Sequence, residues 1–265
     1  MNKFLKLFST TILSFMVLNL NVGAIVNEAG VNIKDNDYNE LLKLYSEEEI
    51  LNLPQEAYDC FKKGENWSEF KEISNYIIHD KYLGNTIQLN NSYNPKTTHQ
   101  TEYKRISISV ATAGDDYFLF KTTLNWLKMP KVRSYDIFAT IIASESGTVD
   151  WGYVNVNYTS NAYNYTMTLT PQNNEYKRTN KGVSYTLKLP TNLDAYSADL
   201  YVYVTGYNKT FVNSTYQHAA SSVTLSEAMS HSFDSTGLGG AIKFSNSTLQ
   251  NKYDKMQGVG WQINR

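Results

Sequence analysis

From about Tyr103 onward, apolar and polar side chains alternate with a period of two. Ile106, Ile108 and Val110 are separated by Ser107 and Ser109, which predicts a strand with one buried face. Gly114-Asp115-Asp116 reads as a turn, and further strands are predicted at Tyr117–Leu127, Ser134–Ala143, Val149–Asn157, Ala162–Thr170, Val183–Leu189, Ala198–Gly206, Phe211–Gln217, Ala241–Phe244 and Val259–Ile263. The joins are rich in turn residues, as in Glu145-Ser-Gly147, Pro171-Gln-Asn-Asn174 and Thr236-Gly-Leu-Gly-Gly240. Tyr201-Val-Tyr-Val204 puts two valines on one face and two tyrosines on the other, as a two-layer arrangement requires. The pattern predicts a mainly β protein built as an antiparallel β-sandwich. Each buried apolar side chain contributes roughly 1.5–3 kcal/mol, so about ten strands supply a core.

Before Tyr103 the spacing is helical. Leu41, Leu42, Leu44 and Tyr45 recur at helical intervals, Ser46-Glu-Glu-Glu49 has the form of a capping box, and Pro54 suits the first turn of another helix. Ala57, Tyr58 and Phe61 then share a face, and Gly64 is a stop. Residues 68–83 fit either a helix, through Phe70, Ile73, Ile77 and Ile78, or a strand at Tyr76-Ile-Ile-His79. The expected organisation is a leader at 1–24, an acidic and mostly helical segment at 25–83, a linker at 84–102 and the β-sandwich at 103–265.

The leader is read from Lys3 and Lys6, an uncharged stretch from Leu7 to Val22, and Val22-Gly23-Ala24 at the end. Basic start, apolar middle and small-residue cut site are the parts of a secretory signal. Ser9, Thr10, Thr11, Ser14 and Asn19 interrupt the apolar run, which favours cleavage over anchoring, since a membrane helix needs about 20 apolar residues. The expected location is secreted or extracellular, with no transmembrane segment after cleavage. The single cysteine, Cys60, rules out an intrachain disulfide, and it reads as a small buried apolar residue on a helix.

Charge is uneven. Residues 25–80 hold 13 acidic and 5 basic side chains, whereas residues 81–265 hold 12 acidic and 17 basic ones. The chain lacks the basic excess of a nucleic-acid binder, so no nucleic-acid partner is expected. An acidic segment ahead of a mildly basic one is either two solvated surfaces or a complementary pair.

Recognisable catalytic motifs are missing. There is no Gly-x-Ser-x-Gly elbow and no His-Glu-x-x-His, and Cys60 sits in the most acidic part of the chain, where a thiolate is disfavoured. His79, His99, His218 and His231 are scattered, although His218, His231 and Asp234 would converge if their strands were neighbours. Asp35-Asn-Asp37 imitates the start of a calcium loop, but Glu40 replaces its glycine and Ser46 its last carboxylate. No metal or cofactor is expected. Sugar hydrolysis would need two facing carboxylates, and Asp136, Glu145, Asp150, Glu175 and Asp199 are the acids available to supply them.

Binding chemistry is better represented. The chain has 21 Tyr and 4 Trp, and rings exposed on a sheet can stack on sugars. The candidates are Trp151, Tyr153, Tyr163, Tyr165, Tyr201, Tyr203 and Tyr207; the competing reading packs these rings as ordinary strand residues. In Trp126-Leu-Lys-Met-Pro-Lys-Val-Arg-Ser-Tyr-Asp136, the cations Lys128, Lys131 and Arg133 make either an anion-binding edge or a plain connector with Arg133 paired to Asp136. Val154–Thr168 alternates like a membrane hairpin, with Val154, Val156, Tyr158 and Met167 as its apolar set, which is thin for lipid contact.

Residues 40–80 and 117–143, with Tyr216-Gln-His218 and the glycine-rich 237–240 stretch, resemble uncharacterised exported proteins of Bacillus- and Clostridium-type Gram-positive bacteria. The resemblance spans about half the chain and implies bacterial export, with no active site to transfer. The expected function is a secreted, non-catalytic binding or surface-interaction protein, with a cell-wall polymer or glycan as partner. A secreted glycosidase-like hydrolase and a haemolysin-like toxin are the alternatives.

Overall fold

A computed structural model describes residues 24–72, 77–79, 86–88, 98–142, 147–161, 163–206, 211–234, 242–254 and 258–262. Of the segments expected from sequence, the leader through Gly23 and most of the 84–102 linker, together with Ile73, Glu145, Tyr207 and the 237–240 glycines, lie outside the described residues.

The chain divides into two compact units, Met1–Leu53 and Pro54–Arg265. The first contains a small hairpin, β1 (Ala24–Val26) with β2 (Asn32–Lys34), followed by α1 (Asp35–Leu41) and α2 (Glu47–Leu51). Asn27 organises it: its amide donates to the carbonyls of Ile50 and Leu53, and its Oδ1 accepts from the Val31 amide. Ser46 and Glu49 close the capping box, each satisfying an amide that the helix start leaves open. Asp35 and Asp37 form the polar entry to α1.

The second unit opens with α3 (Gln55–Phe61) and is otherwise mainly β. Its elements run β3 (Lys71–Glu72), β4 (Ile77–His79), β5 (Thr86–Gln88), β6 (Thr98–Gln100), β7 (Lys104–Ala113), β8 (Tyr117–Trp126), β9 (Tyr135–Ile142), β10 (Gly147–Ser160), β11 (Tyr163–Leu169), β12 (Tyr176–Thr179), β13 (Gly182–Lys188), β14 (Ala195–Gly206) and β15 (Phe211–Gln217). After these come α4 (Leu225–Met229), β16 (Ser232–Phe233), β17 (Ile242–Lys243), α5 (Ser247–Gln250) and β18 (Val259–Gln262). The larger sheet has the order β11-β10-β14-β8-β7-β3, with β6 also on β7; the smaller is β12-β13-β9-β15-β18. Every recorded pairing in both sheets is antiparallel.

Period two decides what faces inward. Ile106, Ile108, Val110, Phe118, Phe120, Leu124, Val154, Val156, Leu200, Val202 and Val204 of the larger sheet share one core with Phe138, Ile142, Val183, Leu187, Val212 and Val259 of the smaller. The two sheets therefore pack face to face, and the sandwich expected from the alternation is the observed architecture. Polar contacts cross that core as well: the Ser214 hydroxyl meets Thr122 at 2.8 Å and Thr140 at 2.7 Å, and the Tyr185 hydroxyl donates to the Gly152 carbonyl at 2.9 Å.

Strands approach closely at Gly152 on β10. A Cβ there would lie 2.8 Å from the Tyr201 carbonyl oxygen and 3.3 Å from Val183 in the other sheet. Gly152→Ala is accordingly expected to cost about 1–3 kcal/mol of overpacking strain, read as a lower urea midpoint with an unchanged slope.

Candidate functional site

The central parts of the tyrosine-rich strands β10 and β14 are buried on both faces. Trp151 and Tyr153 pair with Tyr203 and Tyr201 on the face away from the sandwich core. There the Tyr153 and Tyr201 rings stack at 5.0 Å, Trp67 lies 6.1 Å from Tyr203 and 5.8 Å from Tyr117, and Phe70 reaches Tyr201. Phe61 of α3 stacks on Trp67 at 6.1 Å and Tyr58 on Phe61 at 6.2 Å. Trp151, Tyr153, Tyr201 and Tyr203 are thus covered by α3 and the segment after it. This corrects the expectation of an exposed row: these four rings hold α3 to the sheet.

Tyr163 and Tyr165 lie elsewhere. They are on edge strand β11, on the core-side face of the sheet but beyond the area that the smaller sheet covers. Tyr163 is 68% exposed, Tyr165 46% and Met167 44%. Tyr165 stacks on the half-buried Tyr158 of β10, with ring centroids 5.0 Å apart and planes 18° from parallel. The other face of this hairpin is a ladder in which Thr168, Thr166 and Thr159 each donate to an asparagine carbonyl (Asn155, Asn157, Asn164) at 2.8 Å. Asn161 makes the tight turn with φ 51°, a left-handed conformation that asparagine tolerates. Val154 and Val156 of the hairpin are core residues, so its exposed apolar set is Tyr163, Tyr165 and Met167.

Strand register brings the basic loop to the same end. Arg105 faces Asn125, Asn125 faces Ser197, Ser197 faces Asn157 and Asn157 faces Thr166. Trp126, Tyr158 and Tyr165 lie one step further toward that end, so loop 127–134 and the β10–β11 turn leave the sheet at the same end with β14 between them, two to three strand spacings or about 10–14 Å apart. The loop contributes Lys128, whose ammonium sits 5.3 Å from the exposed Tyr103 ring, together with the exposed Lys131 and Leu127 and the partly buried Arg133. Lys188 joins them over Tyr135. Glu102 and Asp194 are acids at this end, with Asp194 accepting from the Asn161 amide. The sequence placed the lysines and the two exposed tyrosines in separate motifs. Tyr103 and Leu127 had no signal that set them apart.

The loop is rooted in a buried polar node. Asp136, the second residue of β9, accepts from the Tyr216 hydroxyl at 2.5 Å, His218 Nδ1 at 2.9 Å and the Ala219 amide at 2.9 Å. It does not pair with Arg133, whose Nη1 is covered without a hydrogen-bond partner among the described residues. Trp126 Nε1 donates to the Tyr216 oxygen at 3.4 Å, which ties the larger sheet to the smaller. Lys104 pairs with Asp254, which also accepts from the His218 amide. Burial pushes the Lys104 ammonium pKa down, opposed by the Asp254 carboxylate. Burial and the Asp136 carboxylate push the Tyr216 hydroxyl far above its ordinary pKa, which keeps it a donor. Ser134 then closes the loop on segment 219–224, donating to the Val223 carbonyl and accepting from its amide.

His–carboxylate pairs are also the working part of acid–base sites. In this pair Asp136 is fully buried and already bound by three donors, and His218 is covered and set edge-on to Trp126 at 5.0 Å. His231 engages different partners, Ser184 and the Ala228 carbonyl, while Asp234 faces Lys243. The His218–His231–Asp234 grouping, conditional on neighbouring strands, therefore does not form. Of the candidate acids, Asp150 is bound by Thr205, and Asp199 by Thr123 and Lys121. No group of three or more His, Cys, Asp or Glu suited to a metal occurs among the described residues. No helix among them is long and apolar enough to cross a membrane.

No family model matches this chain, and no curated protein matches it. A solved structure described as a pore forming protein superposes on 45% of this chain and 76% of its own length, with TM-score 0.30 and 9% identity. A likeness that slight carries no conclusion about activity.

Proposed function

We propose that this protein is an exported, non-catalytic surface-interaction module that holds an anionic glycopolymer at the loop end of its sandwich. The observation that carries the reading is the stacked Tyr158–Tyr165 pair, with the exposed Tyr163 beside it, at the same end as Lys128 and Lys131. Flat rings offer contact area to sugar faces at low entropic cost, and tyrosines are frequent anchors in interfaces. Lysines on a solvated loop add attraction that weakens with salt. The Asp136 node and the Ser134–Val223 bonds hold the loop in place, so little order has to be imposed on binding.

Co-sedimentation with purified Gram-positive cell wall, before and after removal of its anionic polymers, tests the reading. Tyr163→Ala with Tyr165→Ala is expected to weaken retention about tenfold, the effect of losing roughly 1.4 kcal/mol. Lys128→Ala with Lys131→Ala is expected to flatten the salt dependence. Equal retention of wild type on intact and stripped wall would reject the anionic polymer, and undiminished binding by the tyrosine variant would reject the site.

A further inference from the structure

We propose that Lys104 and Asp254 join covalently: the Lys104 amine displaces water from the Asp254 carboxyl and forms an intramolecular amide, an isopeptide cross-link between β7 and the segment that leads into β18. Lys104 opens β7 in the larger sheet. Asp254 stands 150 positions later, between α5 and β18, the last strand of the smaller sheet. The two side chains are in direct contact, Lys104 Nζ against Asp254 Oδ2. Lys104 is 2% exposed, and the rings of Trp126 and Tyr216 each lie 5.3 Å from its nitrogen. Lysine is among the residues least often buried, and an ion pair taken out of water loses much of its attraction to desolvation. Forming the amide removes both charges and so relieves that cost. Burial lowers the Lys104 pKa, and the neutral amine is the form that attacks a carbonyl carbon.

Asp254 is positioned as the electrophile. Its amide donates to the His218 carbonyl at 2.9 Å, and Tyr253 bridges Ala219, so its main chain is fixed against the end of β15. Its Oδ1 accepts from the His218 amide at 3.0 Å, which leaves Oδ2 facing the amine. Attack places negative charge on Oδ1, where that amide already points, as in an oxyanion site. The steps balance without a co-reactant. The ammonium passes one proton to Oδ2 across the existing contact, and the nitrogen attacks Cγ. A second proton passes from nitrogen to Oδ2, and the Cγ–Oδ2 bond breaks to release water, leaving one hydrogen on the amide nitrogen. Asp136, which acts on the same nitrogen, offsets the positive charge it carries during attack. The Asp254 side chain is 32% exposed, so the water has an exit. Groups held this way reach effective concentrations of about 10⁵ M or more, against which hydrolysis competes poorly. The bond closes a ring that contains most strands of both sheets, in a chain whose single cysteine allows no intrachain disulfide. Such a ring restricts the unfolded chain as a long-loop disulfide does. The cross-link does not depend on the ligand assigned above.

Intact-mass spectrometry of the full chain, denatured after purification in its folded form, tests the cross-link. Lys104→Met is prepared in the same way, so that any processing at the termini cancels. Wild type is expected to weigh one water less than its sequence requires, and Lys104→Met and Asp254→Ala to carry no such deficit. Trypsin should fail to cut after Lys104 in the wild type and should release a branched peptide in which residues 97–105 are joined to residues 253–255. Full sequence mass in the wild type overturns the proposal and leaves Lys104 and Asp254 as an ordinary ion pair. A water deficit that persists in Lys104→Met also overturns it, because the loss then lies elsewhere in the chain. The wild-type mass and digest decide the matter whether or not the variants fold.

Discussion

Asp136→Ala is expected to destabilise the protein by about 3–5 kcal/mol, the usual cost of removing one member of a buried charged network. The carboxylate is fully buried and is the shared acceptor for Tyr216, His218 and the Ala219 amide. Deleting it leaves three donors facing a small cavity. Tyr216→Phe removes one donor and leaves one carboxylate lone pair and the Trp126 indole N–H unmet, so its expected cost is smaller, about 1–3 kcal/mol. Because both changes act on one hydrogen bond, their combined effect should fall well short of the sum. Urea denaturation of the two single variants and the double variant measures this directly. A loss under 1 kcal/mol for Asp136→Ala would mean that the node does not hold the sheets at this end. The same variant should also loosen loop 127–134, since Asp136 follows the loop by two residues and Ser134 anchors it to Val223. Wall retention should therefore fall even in conditions where the variant remains folded.

The inner faces of β7, β8, β10 and β14 were legible from sequence because they carry clean alternation: Ile106, Ile108 and Val110, or Val202 and Val204, are apolar every second residue. Alternation cannot say whether the other face is wet. On β10 and β14 that face carries Trp151, Tyr153, Tyr201 and Tyr203, residue types that suit an exposed platform and a covered layer equally well. What decides between the two is α3 with Trp67, more than 80 residues before Trp151, and no local spacing connects them. The polar node was hidden for the same reason: Asp136 and His218 are 82 positions apart and belong to no periodic pattern. Strand β12 went unread because Tyr176-Lys-Arg-Thr179 is a short polar edge without alternation. Helix α4 did leave a trace, since Thr224 and Glu227 form a capping box of the kind recognised at Ser46 and Glu49. The common end of the tyrosine hairpin and the basic loop follows from register across four strands, and register emerges only once the pairing order is known.

Below neutral pH the protein should lose stability in a window set by His231. Its ring is fully buried on the outer side of the smaller sheet, with Phe233 and Phe244 edge-on at 6.0 and 6.2 Å. The Ala228 carbonyl, 2.7 Å from Nδ1, can only accept, so Nδ1 carries the proton and Nε2 accepts from the Ser184 hydroxyl at 2.8 Å. Burial, with the nearby Lys177 ammonium adding to it, lowers the His231 pKa from 6.5 to about 4, although the Ala228 bond opposes the shift. An unfolded chain therefore takes up this proton at a higher pH than the native one. The neutral ring's contribution is fully present above pH ~7 and declines as pH falls from the unfolded value of about 6.5 toward 4. A displacement of about 2.5 pH units corresponds to roughly 3 kcal/mol lost across the window. Glu227, whose Thr224 and Lys252 partners lower its pKa to about 2, adds acid sensitivity as pH falls through its ordinary value of 4.5, so it overlaps the His231 window only at the acid end, near pH 4. Urea midpoints between pH 7 and 4 should show the slope, and His231→Phe should flatten it while lowering stability throughout, because Ser184 and Ala228 lose their partner. Nuclear magnetic resonance of the native imidazole supplies a reading independent of whether that variant folds. A midpoint near 4 fits the buried neutral ring, and a midpoint near 6.5 would mean that its burial exerts no such penalty.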